Sequence, residues 1–263
     1  MEIQEIINSV INSKKYSTIS YEIVERISVE MSKRYKKKKD IIAETKKQLH
    51  IIYESFLTSN CQLVAKDKIE KYNGLNLLED IDFSKELLSL HVSTKERIGY
   101  ESEIYSYISQ FISEECILAD VGCGFNPFAL PFFINRPSKY FAYEISVDTV
   151  DVLNLYFDKV EKKAYKASIL DAVSSVPPEH INMMFAFKLL PLLQQQKKGR
   201  AIDFLTQASF DNAIVSFPIK SISGKNKGME EFYSSFIEDN LPSTITIIDR
   251  VVINNELFYA LKK

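Results

Sequence analysis

The 263-residue chain is poor in cysteine: it has only Cys61, Cys116 and Cys123. The number is odd and no pair has C-x-x-C spacing. A disulfide framework and a cysteine-based zinc site are therefore excluded as organising devices, no metal is expected, and a reducing, cytoplasmic setting is. Long apolar runs are also missing. The richest stretch, Met183 to Leu193, is interrupted by Lys188 and Pro191, so no membrane span is expected. The first residues, Met-Glu-Ile-Gln-Glu, have no basic segment followed by an apolar core, so no secretory leader is expected. Repeats and low-complexity tracts are absent. With 46% hydrophobic and 26% charged residues, the composition is that of a soluble folded chain rather than a disordered one. A chain of this size buries about 75% of its unfolded surface and needs no covalent or metal staple.

An excess of one charge is missing overall, the net value being −2, but the charge is unevenly distributed. Residues 1–72 hold 14 basic against 10 acidic side chains, and the remainder 19 against 25. Within 33–47 there are 8 basic residues (Lys33, Arg34, Lys36, Lys37, Lys38, Lys39, Lys46 and Lys47) against Asp40 and Glu44. Such a concentration suits a polyanion, although a solvated lysine-rich loop has the same composition.

Hydrophobic spacing divides the chain. Ile3, Ile6, Ile7, Val10 and Ile11 recur at helical intervals, as do Ile23, Val24, Ile27 and Met31. A third helix fits 40–57, with Ile41, Ile42, Leu49, Ile52, Tyr53 and Phe56 on one stripe. Asn73-Gly74 marks a turn. From residue 93 the pattern changes. Ser93-Thr94-Lys95-Glu96 reads as a capping box, with Ser93 as N-cap, opening a helix to about Phe111. Short apolar strands follow at Ile117–Val121, Tyr140–Ile145, Lys163–Ile169, Ile181–Phe187, Asn212–Phe217, Thr244–Val251 and Glu256–Leu261. The first five alternate with helices, which predicts a parallel sheet covered on both faces. The last two are joined by Asn254-Asn255 and should form an antiparallel hairpin. This is the strand order of a class I, S-adenosylmethionine-dependent methyltransferase: an α/β, Rossmann-like, seven-stranded sheet ending in an antiparallel hairpin.

Two features point to an adenosyl ligand. Asp120-Val-Gly122-Cys-Gly124-Phe-Asn126-Pro127 follows the first strand directly, and glycines there let the backbone approach a ligand closely. Pro127 stands where a dinucleotide fingerprint would have its third glycine, which favours S-adenosylmethionine over NAD. Glu144 ends the next strand, 22 residues after Gly122, where a carboxylate can accept ribose hydroxyls.

Longer motifs carry a family resemblance. His91-Val-Ser-Thr-Lys-Glu-Arg97, the Asp120–Pro127 loop, Phe187-Lys-Leu-Leu-Pro-Leu-Leu193 and Ser216 through Glu230 resemble the aminoglycoside-resistance 16S rRNA (guanine-1405-N7) methyltransferases of the Arm/Rmt type. Lys14-Lys15-Tyr16 and Leu49-His50 match as well. The resemblance implies a basic helical domain over 1–90 that binds the 30S subunit, and a methyltransferase domain over 91–263. It implies that S-adenosylmethionine is held by Tyr53, His91, Val92, Ser93, Thr94, Lys95, Glu96, Arg97, Asp120, Gly122, Gly124, Glu144, Ser168, Ile169, Phe187 and Gln196. Within that set Arg97 takes the methionyl carboxylate and Glu144, where the family usually has Asp, the ribose. Ser168 departs from the family's acid beside the adenine, and Asp171 is available to replace it. Lys14, Lys15, Lys36, Lys37, Lys38, Lys39, Lys46 and Lys47 are implied to contact rRNA, and Met229, Lys220, Lys225 and Lys227 to position the target base. The substrate implied is 16S rRNA in the assembled 30S subunit, acted on by a monomer. Guanine N7 bears a lone pair and no proton, so no general base is expected. Two alternatives stay open on the sequence: a ribosome-binding protein that keeps the fold without activity, and a small-molecule methyltransferase, whose added domain should be an apolar lid.

Overall fold

The computed structural model describes residues 3–52, 60–160, 163–219 and 228–263. The N-terminal part is three helices, α1 (Ile3–Ile11), α2 (Tyr21–Arg34) and α3 (Lys38–Ile52). Their apolar stripes, led by Ile6, Ile7, Val10, Ile23, Val24, Ile27, Ile41 and Leu49, bury against one another in a core of their own. Lysines fill the α2–α3 connection and the solvent face of α3, where the spacing leaves no apolar side chain to bury. The third helix begins two residues before the expected start, and its expected residues 53–57 lie outside the described ones.

Helices α4 (Cys61–Lys71) and α5 (Ile81–Leu88) do not join that core. Cys61, Ala65, Ile69, Leu87 and Leu88 pack into the same cluster as Leu118, Phe125, Phe128 and Tyr156. Asp80 caps α5 by accepting from Phe83 N–H at 2.9 Å. The sequence division at residue 90 thus falls after two helices that pack with the sheet, and among the described residues the separate helical core runs to Ile52.

The expected helix from Ser93 to about Phe111 is instead two. A single turn, α6 (Val92–Lys95), has His91 as its N-cap, and Ser93 makes no cap bond. Gly99 then adopts φ +92°, which closes the turn, and α7 runs Glu101–Ser109. The local capping signal loses because the turn is fixed by burial of Thr94 and Arg97. The Thr94 hydroxyl donates to Leu88 O at 2.7 Å.

Seven strands form one sheet in the order β3-β2-β1-β4-β5-β7-β6. They are β1 (Ile117–Val121), β2 (Lys139–Glu144), β3 (Tyr165–Ile169), β4 (Ile181–Phe187), β5 (Phe210–Pro218), β6 (Thr246–Ile253) and β7 (Glu256–Lys262). The first five are parallel, and β7 runs antiparallel to both β5 and β6. Asn254, at φ +53°, and Asn255 close the hairpin, pairing Ile253 with Glu256. The edge strand β6 starts two residues later than expected because Pro242–Ile245 closes a turn first. Helices α8 (Val147–Lys159), α9 (Leu189–Gln196), α10 (Arg200–Gln207) and α11 (Met229–Asn240) cover the sheet. Two apolar clusters result, one on each face. After β1 the chain forms a 3-10 segment, Asn126–Phe132, rather than an α-helix, since Pro127 and Pro131 supply no amide donor. The β1–β4 junction, where the strand order reverses, is where such sheets open a ligand crevice at their C-terminal edge. No described helix is long and apolar enough to cross a membrane.

Candidate cofactor cleft

A cleft opens at that edge. Its floor is Gly122, Gly124 and Glu144, one wall is Leu170 to Val173 after β3, and the other is Phe187, Lys188, Leu189, Leu192 and Leu193 with Gln196. His91 and Ser93 close one end, and Ile23, Arg26 and Ile52 reach over from the helical module.

The glycine loop is shaped by positive φ and close approach. Gly122 sits at φ +66° and Gly124 at φ +50°. A Cβ on Gly122 would meet Leu189 Cδ1 at 3.0 Å, and one on Gly124 would meet His91 Cε1 at 3.0 Å. Gly122 N–H donates to Tyr143 O at 2.9 Å, and Gly124 N–H to Glu144 Oε2 at 3.0 Å. Glu144 Oε1 accepts from its neighbour Ile145 N–H at 2.7 Å. Ser146 N–H is a third backbone donor to this carboxylate, which fixes the loop and keeps acceptor capacity for a hydroxyl. Burial raises the Glu144 pKa above its ordinary value, against the opposing backbone donors.

Beneath the loop runs a buried polar chain. Asp120 Oδ2 accepts from Asn126 Nδ2 at 2.8 Å and from the Tyr140 hydroxyl at 2.7 Å. Burial lifts the Asp120 carboxyl to about 6. Asn126 Oδ1 accepts from the Tyr105 hydroxyl at 2.6 Å and from Arg97 NH1 at 3.0 Å. Arg97 forks onto Glu256, Nε to Oε2 at 2.9 Å and NH2 to Oε1 at 2.6 Å, and lies 4.7 Å over the Phe187 ring. Burial works against the Glu256 charge, but Arg97 and then Lys188 outweigh it and hold the carboxyl below its ordinary pKa. Lys188, left-handed at φ +55°, reaches Glu96 Oε2 at 2.6 Å and Glu256 Oε2 at 3.6 Å.

Residues 12–260 match the profile of a known protein family, described as Ribosomal RNA methyltransferase (FmrO). The chain belongs to this family. It is similar to the 16S rRNA (guanine(1405)-N(7))-methyltransferase of Serratia marcescens, 30% identical over 263 residues that span 100% of this chain and 99% of the relative. The Proteus mirabilis protein of the same name is 28% identical, over 99% of this chain and 97% of its own. Among solved structures, the 16S rRNA methyltransferase RmtF in complex with S-adenosyl-L-homocysteine superposes with a TM-score of 0.89 at 28% identity, covering 100% of this chain and 99% of that one. RmtB superposes at 0.84 with 26% identity, covering 100% and 99%. The family and the fold both agree with the sequence expectation.

Of the residues that the sequence assigns to the cofactor of an FmrO-family enzyme, His91, Ser93, Gly122, Gly124, Glu144, Phe187 and Gln196 line the cleft. Val92, Thr94, Lys95, Glu96, Arg97, Asp120, Ser168 and Ile169 do not. Thr94 and Asp120 are buried under the turn and the loop, and Glu96 meets Lys188 at the rim. Arg97 was expected at a ligand carboxylate, but here its guanidinium forks onto Glu256. The cation that lines the cleft there is Lys188. Beside the expected adenine site the chain has already left β3, and Leu170, Asp171, Ala172 and Val173 take the place of Ser168 and Ile169. Ile23 and Arg26 belong to no local motif beyond helical spacing, and Lys188, Leu189 and Leu192 lie inside the Phe187–Leu193 motif, where sequence reasoning assigned them no place in the cleft. Tyr53, Lys220, Lys225 and Lys227 lie outside the described residues. Met229 is half-buried as the first residue of α11, after Gly228 at φ +80°. Lys14, Lys15, Lys36, Lys37, Lys38, Lys39 and Lys47 are exposed and Lys46 half-exposed. Lys38 pairs with Glu5 at 2.7 Å, Lys47 with Glu44 at 3.6 Å, and Lys15 meets His50 at 3.5 Å. Basic side chains thus run along α3 from end to end. Among the described residues no group of three His, Cys, Asp or Glu is placed to hold a metal.

His91 yields a prediction. Burial, then the nearby charges of Arg97 and Lys188, push its imidazole down to about 4. It is therefore neutral at pH 7, whereas an unfolded histidine titrates near about 6.5. Between those values the unfolded chain binds the extra proton, so this contribution is present at neutral pH and lost as pH falls. The stability of wild type minus that of His91→Gln should therefore drop by about 3 kcal/mol from pH 7 to pH 4. Urea titrations at a series of pH values measure it, and a difference independent of pH would show that the imidazole is not held neutral by the fold.

Proposed function

We propose that this chain transfers the methyl group of S-adenosylmethionine to N7 of guanine-1405 of 16S rRNA within the 30S subunit. The observation that carries this reading is the cleft itself, with a double-glycine loop, Glu144 and a basic helical module meeting at the switch point of the sheet. The names of the relatives supply the base and the atom. S-adenosylmethionine brings an electrophilic methyl group on a sulfonium.

The residues present suit it. The positive-φ glycines leave a cradle that side chains would fill. Glu144 can accept a ribose hydroxyl, and Leu170, Leu192 and Leu193 offer apolar contact to an adenine ring. Ser93 and Lys188 provide a donor and a charge for a carboxylate. No side chain need remove a proton, because N7 has none. The chain's task is placement of the base in line with the reacting bond, and placement alone supplies a large rate factor. Accordingly His91, the imidazole at the end of the cleft, is buried against the glycine loop, and a pKa of about 4 makes it a weak base. Met229 is a polarizable, adaptable surface for an extruded purine. In A-form RNA the deep major groove excludes side chains, so the lysines of α3 and its preceding loop would hold phosphates while one base is flipped out. A cytoplasmic monomer is the form in which this reading has it act. A small-molecule methyltransferase has less support, since the helical module carries an exposed lysine-rich face that binding a small molecule does not require.

Methylation of purified 30S subunits, alongside naked 16S rRNA and with the modified position mapped, tests this. Modification of guanine-1405 at N7 in subunits supports it, and cofactor binding without methyl transfer would favour a ribosome-binding protein that has kept only the fold. Reversal of Lys37 and Lys38 to Glu should weaken 30S binding and lower the salt slope by about 1–2, with cofactor affinity unchanged. An unaltered slope would make the lysine run a solvated surface.

A further inference from the structure

Arg26, on the face of α2 that overhangs the cleft, joins three elements. Its Nε donates to Asp171 Oδ2, and its NH2 to Asp171 Oδ1 at 3.3 Å and to Gln196 Oε1 at 3.0 Å. Asp171 lies on the loop after β3 and Gln196 at the end of α9, which are opposite walls of the cleft, and all three residues line it. The Asp171 carboxylate also accepts from Val173 N–H at 3.0 Å through Oδ1 and from the Ser174 hydroxyl at 3.1 Å through Oδ2. A carboxylate has about four acceptor directions, and these are now used. Arg200 clamps the same loop from behind, donating to Ala172 O at 2.9 Å and Ser175 O at 2.7 Å. The loop is therefore a fixed post against which Arg26 can pull.

A second seam lies on the other side of Glu144. Ser20 N–H donates to Ile145 O at 3.2 Å, and Val147 N–H to Thr18 O at 2.8 Å. The helical module is thus fastened along both sides of the floor, once by backbone and once by Arg26. Ile23, one turn before Arg26, also lines the cleft.

We propose that Arg26 is a clasp: by bridging Asp171 and Gln196 it holds the helical module closed over the adenosyl ligand, and its release sets the rate at which that ligand leaves. The proposal rests on the cofactor reading above. Two partners on different walls require a planar fork with several fixed donors, which lysine lacks. The charges are three-quarters or more shielded from solvent, at 22% and 12% side-chain exposure, so the pair is less screened than a surface one. A corollary is that Asp171 has no spare acceptor for an adenine amino group while the clasp is shut. The seated ring is held by apolar contact and backbone there.

The test uses the full chain and S-adenosylhomocysteine as probe. Stopped-flow dissociation should be about tenfold faster in Arg26→Ala, with a nearly unchanged association rate. Arg26→Lys should resemble Arg26→Ala, and Gln196→Ala, which removes one neutral arm, should give a rise of about threefold. Hydrogen exchange gives a readout that a merely structural arginine would not move. The probe should protect residues 21–34 as well as 120–126 in wild type, and in Arg26→Ala only 120–126. Protection of 120–126 without any change at 21–34 in wild type would overturn the clasp, as would wild-type dissociation in a folded Arg26→Ala. Should Arg26→Ala not fold, wild-type dissociation in Gln196→Ala overturns it. Failure of wild type to bind the probe at all would instead remove the cofactor reading and the clasp with it.

Discussion

Arg97→Ala is expected to cost the fold about 3–5 kcal/mol, the usual loss when one partner of a buried ion pair is removed. In a chain of this size that lowers the melting temperature by roughly 5–10 °C. The Glu256 carboxylate is 3% exposed and would be left with Ser216 and a more distant Lys188. The Arg97 guanidinium also supports Asn126, which in turn holds Asp120 under the glycine loop. The loss should depend on pH in a defined direction. In wild type, Arg97 keeps the Glu256 pKa low, so this stabilisation is present above the ordinary carboxylate pKa and fades as pH falls through the lowered one. Without Arg97, burial favours the neutral acid. The gap between wild type and variant should therefore narrow as pH falls. Replacing both partners, Arg97→Leu with Glu256→Leu, should recover much of the loss, because no charge is stranded. Calorimetric melting of the three proteins decides it. An Arg97→Ala protein that melts like wild type but no longer binds cofactor would mean that Arg97 serves as a ligand group alone.

Expression of this chain in a susceptible bacterium is expected to raise tolerance to gentamicin and kanamycin while leaving neomycin sensitivity nearly unchanged. A methyl group on N7 gives the guanine a positive charge and takes away a hydrogen-bond acceptor. The 4,6-disubstituted deoxystreptamines are polycations that sit against that base, so repulsion and the lost bond act together. Each lost charge-assisted hydrogen bond alone is worth about 1.5–3 kcal/mol, or roughly ten- to a hundredfold in affinity. Drugs of the 4,5-disubstituted class place their rings elsewhere and keep their contacts. Inhibitory concentrations for both classes, measured with wild type and Met229→Ala, test this. Met229→Ala should lower tolerance with cofactor affinity retained, since it acts on the base. The opposite drug spectrum would point to another decoding-site base.

The strands were legible because each is a short apolar run bounded by turn residues, and because burial on both faces of a parallel sheet selects such runs. Asp120–Pro127 was legible as a tight strand-to-helix turn because only glycine adopts positive φ without strain where backbone must come close. The capping box at Ser93 was misleading. Its spacing is right for a helix start, yet Gly99 ends the turn and Arg97 is drawn inward to Glu256. That partner is 159 residues away, and no local pattern announces it.

The sequence alone therefore determined the order of the strands, the terminal hairpin, the three N-terminal helices and the position of the glycine loop, all of which follow from periodicity and backbone conformational preference within short windows. The tertiary structure decided which charges face the cleft. Arg97 points to Glu256, Lys188 lines the rim of the cleft, and Arg26 reaches Asp171 across 145 residues of chain. Buried charges must find a partner wherever the fold brings one, and sequence distance does not limit that search.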